Sequence, residues 1–207
     1  MTHDHAVPAD PAAVIEETRA WVRRAVIGLN LCPFARGVEA KNQIRYVVSD
    51  ATQPEALLEA LCDELQRLAD TDPEVVDTTL LVHPHVMQDF RDFNDFLELA
   101  DAAVEELGLD GVLQVASFHP QFQFADTDPD EITNATNRSP YPTLHLLRED
   151  SVGRAVAAFP AAEAIFENNM RTLEKLGLEG WTTLREEWEQ DAASATAHQA
   201  KAGDQRT

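Results

Sequence analysis

Thr78-Thr79-Leu80-Leu81-Val82-His83-Pro84 and, one helix-length later, Val112-Leu113-Gln114-Val115-Ala116-Ser117-Phe118-His119-Pro120 are the stretches that decide how this chain folds. Each is an apolar run of strand length ending in His-Pro, and proline stops a strand because it has no N–H for the ladder. Between them Phe90, Phe93, Leu97, Ala100, Val104 and Leu107 recur at helical spacing from Asp89 to Leu107, and Gly108 closes the run. Strand, helix, strand in that order predicts a parallel pair joined by a right-handed crossover.

Upstream, Ile44 to Val48 reads as a short strand, and Pro54 opens a helix with the stripe Leu58, Leu61, Leu65 and Leu68. Asp10-Pro11 supplies an N-cap and a first-turn proline for a helix that carries Val14, Thr18, Trp21 and Ala25 and stops at Gly28. Leu29 to Ala35 is then a loop. Downstream, Gln121 to Pro142 has turn residues and no periodicity, too long for a plain connection, so it is expected to be functional or mobile. Thr143 to Leu147 makes a fourth strand, antiparallel or at an edge, since no convincing crossover helix precedes it. Short helices follow to Phe159 and from Ile165 through Phe166, Leu173 and Leu176 to a stop at Gly177, with a last turn at Trp181, Leu184 and Trp188. The expectation is an α/β fold with a mixed, mostly parallel sheet, crossover helices and C-terminal helices. Residues 10–190 form the domain, with 1–9 and 191–207 as disordered ends.

The formal charge of -21, with lysine only at Lys41, Lys175 and Lys201, repels phosphate backbones and anionic lipid surfaces. Nucleic acid and membrane are therefore not expected partners. Two cysteines cannot form a disulfide framework, and no basic-then-apolar leader is visible, so the expected location is cytoplasmic. Cys62 adjoins the leucine stripe and reads as a buried, inert thiol. Nothing in the residues sets an oligomeric state.

If the helix is a crossover, His83 and His119 emerge together at the carboxyl rim of the sheet, where open α/β folds place ligands, with imidazoles on neighbouring strands about 4.8 Å apart. Cys32, in the loop with Asn30 and Pro33, is the candidate nucleophile and would need a nearby His⁺ to become a thiolate. Arg138 is an unusual cation for this chain, and its fork suits bidentate capture of an anion, with Asn30, Asn137 and Tyr141 as further substrate contacts. His85 stands two residues after His83, so an extended chain would let His83, His85 and His119 hold zinc or iron, with Asp89 as an oxygen ligand and His145 nearby. No Gly-rich phosphate loop, nucleophile elbow or CxxC pair is present.

The segments LNLCPFA (29–35), TLLVHPHVMQDFRDFNDFL (79–97), GVLQVASFHPQFQFA (111–125) and TNRSPYPTLHLLRE (136–149) resemble the uncharacterised DUF1415 family over nearly the whole chain except its ends. The resemblance implies one single-domain family and supplies no reaction. Three functions follow from the residues: a hydrolase or transferase acting on a small anionic metabolite through a Cys/His/Arg cleft, a zinc- or iron-dependent enzyme, or a non-catalytic ligand-binding or assembly protein using Phe118, Phe122, Phe124 and Tyr141.

Overall fold

A computed structural model describes residues 10–158 and 164–204, with side chains described to Lys201. The elements are α1 (Pro11–Trp21), a π-helix (Val22–Ile27), α2 (Ala35–Ala40), β1 (Ile44–Val48), α3 (Pro54–Asp70), β2 (Thr78–Val82), α4 (Phe90–Glu106), β3 (Leu113–Phe118), a 3₁₀ helix (Ile132–Asn137), β4 (Thr143–Arg148), α5 (Glu149–Ala158) and α6 (Ile165–Asp204). Asp10 caps α1 by accepting the Ala12 N–H at 2.9 Å, and Asp89 caps α4 through the N–H groups of Arg91 and Asp92.

The sheet is mixed α/β as expected, in the order β1-β2-β4-β3, but it is not mostly parallel. Only β1 and β2 pair in parallel, with Ile44 opposite Thr78 and Val48 opposite Val82. β4 runs antiparallel to both β2 and β3, with Thr143 opposite Val82 on one side and Phe118 on the other. β1, β2 and β3 therefore point the same way, and β4 is wedged between the second and third. It is an interior strand, not an edge, and Leu144 and Leu146 are accordingly fully buried.

Alternation along the strands divides the core into two layers. Val47, Leu81, Leu113, Val115, Leu144 and Leu146 face α3 and α4, where they meet Leu57, Leu61, Leu65, Phe93 and Phe96. Ile44, Tyr46, Leu80 and Phe118 face α1 and α6, where they meet Trp21, Ala25 and Trp188. The result is helices, sheet, helices.

The chain after Gln190 departs from the expected disordered tail. It continues α6, with Ala192 buried beside Trp188, Asp191 paired to Arg24 at 2.7 Å, and Gln199 donating to Glu16 at 3.0 Å. Its alanine-rich composition hides a face that packs on α1. Residues 1–9, 159–163 and 205–207 lie outside the described part, including the expected disordered start and the Phe159-Pro160 boundary.

Candidate functional site

The two His-Pro strand ends do lie at one rim and on one face of the sheet. The β4 strand intervenes, so their strands are about 10 Å apart and not neighbours. Both rings pack on Phe93 of α4, with centroids 5.4 Å away for His83 and 5.2 Å for His119. Phe90 covers His119 from the same helix at 5.4 Å. What joins the histidines is thus a phenyl ring in the core.

Their hydrogen bonds describe braces for the loop after β2. The His119 Nε2–H donates to the Met87 carbonyl at 3.1 Å, while its Nδ1 accepts the Gln121 N–H at 3.0 Å. His83 donates from Nδ1 to the Val86 carbonyl at 3.2 Å, and its buried Nε2 has no hydrogen-bond partner among the described residues. Burial pushes both imidazoles down to about 4, so they are neutral near pH 7. His145 points to the opposite face, against Phe118 and Thr78, and burial takes it also to about 4.

The chelating arrangement of His83 and His85 does not form, because Pro84 turns the chain out of the extended state that the spacing assumed. His83 is buried and His85 is exposed. Asp89 is occupied as the α4 cap. Among the described residues no three His, Cys, Asp or Glu side chains gather closely enough to hold a metal ion.

Cys32 packs, half-buried, on the α1 and α6 layer beside the Trp21 cluster. The sheet stands between it and the imidazoles of His83 and His119. Cys62 is half-buried against the other layer, where burial and the nearby Asp63 and Glu106 carboxylates push its thiol up. Arg138 serves its own loop: Nε donates to the Phe122 carbonyl at 3.1 Å and Nη2 to the Pro129 carbonyl at 2.6 Å. The Asn137 carbonyl accepts the His119 N–H at 3.2 Å. Tyr141 is buried among Val14 and Val82 and donates to Glu17 at 2.5 Å.

The Gln121 to Pro142 segment is consequently a built loop, not a loose lid. Asn134, fully buried, organises it by accepting from the Phe124 N–H and the Thr127 hydroxyl and donating to the Asp128 carbonyl.

Of the candidate residues, Asn30 lines a pocket. The helix that begins at Pro11 widens into the π-helix, whose i−5 pattern continues as Gly28 N–H to Arg23 O at 3.0 Å and Leu31 N–H to Val26 O at 2.9 Å. Gly28 keeps right-handed angles, and a Cβ there would stand 2.1 Å from the Arg24 carbonyl oxygen. The reversal falls instead on Asn30, at φ 57°, a conformation asparagine tolerates better than most residues. Asn169 of α6, only 5% exposed, ties this turn down by donating to the Leu31 carbonyl at 2.9 Å.

Between turn and helix lies a surface depression of about 370 Å³ lined by Leu29, Asn30, Asn168, Asn169, Arg171, Thr172 and Lys175. Two of its seven lining residues are cations and none is a carboxylate, against 37 acidic and 16 basic residues in the chain. Arg171 donates to Asn168 Oδ1 at 2.6 Å, and neither cation joins an ion pair among the described residues. This site was missed because the helix was read through its apolar stripe, Leu173 and Leu176. The available signal was Arg171 and Lys175 one turn apart in an acidic chain.

No helix among the described residues is long and apolar enough to cross a membrane. No curated protein and no solved structure matches the chain. The sequence model described as "Protein of unknown function (DUF1415)" matches residues 13–183, so the chain belongs to the DUF1415 family.

Proposed function

We propose that the protein binds a small anionic metabolite in the depression between the 28–31 turn and α6. One observation carries this reading: Arg171 and Lys175 share a pocket without a carboxylate in its lining, in a chain of charge -21. Like charges four residues apart on a helix repel by a few tenths of a kcal/mol, and a bound anion turns that repulsion into attraction. The volume of about 370 Å³ falls in the range of small-molecule sites, about 300 to 1,000 Å³. Asn30 and Asn168 add amide groups that can orient a polar ligand.

The anion contact expected of Arg138 moves in this reading to Arg171 and Lys175. A hydrolase or transferase built on Cys32 with His83 and His119 has no comparable support, because proton transfer needs contact and the sheet separates the groups. The test is calorimetric titration of the protein, at low salt, with mono-, di- and trianionic metabolites and neutral analogues. At least one anion should bind, and Arg171→Ala and Lys175→Ala should each weaken it about tenfold or more without lowering the melting temperature. Binding that ignores both substitutions would place the site elsewhere.

A further inference from the structure

The polar groups of this pocket are not a neutral mixture. Because Arg171 gives a hydrogen bond to Asn168 Oδ1, the Asn168 amide nitrogen is left as a donor beside the guanidinium. Thr172 adds a hydroxyl next to Arg171, and Lys175 adds an ammonium one turn on. The guanidinium fork matches a pair of oxygens on one group, and the ammonium is a compact point charge that can meet a third. Cβ atoms at this spacing are about 5–6 Å apart, so both long side chains reach a single centre.

We infer that the ligand of this pocket is a phosphate monoester, held by its phosphoryl group between Arg171 and Lys175, with its organic part on Leu29 and Asn30; this rests on the anion-binding reading above. A phosphoryl group places a charge of about −1.5 to −2 and three acceptor oxygens on one atom near pH 7. That suits two cations one helical turn apart with an amide donor beside them, all lining one pocket. A monocarboxylate neutralises one of the two cations and offers two coplanar oxygens. A dicarboxylate has the charge but divides it between two groups. The depression also extends beyond the cations to Leu29 and the left-handed Asn30, which a bare phosphate would leave uncovered.

Calorimetric titration of the full chain with glycerol 3-phosphate, inorganic phosphate and succinate decides the matter, using wild type, Arg171→Gln and Lys175→Gln. Both residues are exposed, so the variants are expected to fold as wild type. Glycerol 3-phosphate should bind about tenfold or more tightly than succinate, lose about tenfold or more in each variant, and exceed inorganic phosphate. Succinate bound as tightly, with the same sensitivity to both variants, would overturn the phosphate assignment and leave the anion pocket standing. Inorganic phosphate bound as tightly as the ester would overturn the ester and make the free ion the ligand. If no anion at all is bound in a way that depends on these two residues, the pocket and the inference fall together.

Discussion

Burial holds His83, His119 and His145 at about 4, whereas a free imidazole titrates near 6.5. As pH falls, the unfolded chain takes up these protons first. The stability that goes with neutral burial is therefore complete above about 6.5 and is lost progressively as pH falls from there through 4, on the order of 3 kcal/mol per site at most. The urea midpoint should drop between pH 7 and pH 4.5, and His145→Gln, which removes one such group, should flatten the profile; an equally steep profile would show that His145 does not contribute. Arg138 belongs to the same scale. Its fork braces two carbonyls of its own loop, so Arg138→Lys should cost about 1–3 kcal/mol in urea unfolding while leaving anion binding at Arg171 and Lys175 unchanged. Weakened binding at unchanged stability would return Arg138 to the role its sequence context suggested. The residue-level reading found where His83 and His119 stand, because proline fixes a strand end locally. It could not find what they touch, since Phe93 reaches them only through packing.

At the scale of elements, the α4 stripe was legible because a 3.6-residue period over five turns has no competing explanation. The π-helix was not, since a hydrogen bond lengthened by one residue leaves no compositional trace, and Gly28 was read as a terminator when the reversal belongs to Asn30. Gly177 was expected to end a helix, and it does break one: at φ 69° and ψ 174° it leaves the helical region, after which α6 resumes to Asp204. A Cβ at Gly177 meets nothing within 4 Å, so steric clash is not the issue there. The backbone angles are those of a region reserved almost entirely to glycine. Gly177→Ala should consequently lower stability by about 1–3 kcal/mol, read by chemical denaturation; a neutral result would mean that the two halves of α6 can realign freely.

For the whole molecule, the mixed α/β class followed from the order of apolar segments. Strand directions came out as expected, but strand order did not, because the place of β4 is settled by which two strands its edges fit, a choice made between segments far apart in sequence. That position has a consequence for synthesis. β1, β2 and β3 emerge in order, yet β2 and β3 cannot join until residues 143–148 arrive to lie between them. Until then β2, whose five residues are all buried in the finished fold, has an open edge of unpaired N–H and C=O groups. Such non-local closure is slow and leaves nascent chains prone to sticking to one another. A chain ended at Pro142 should thus collect in aggregates on expression, whereas one ended at Arg148 should show less aggregation because its sheet can close; equal solubility of the two would mean that the waiting edge is covered by something other than its own last strand.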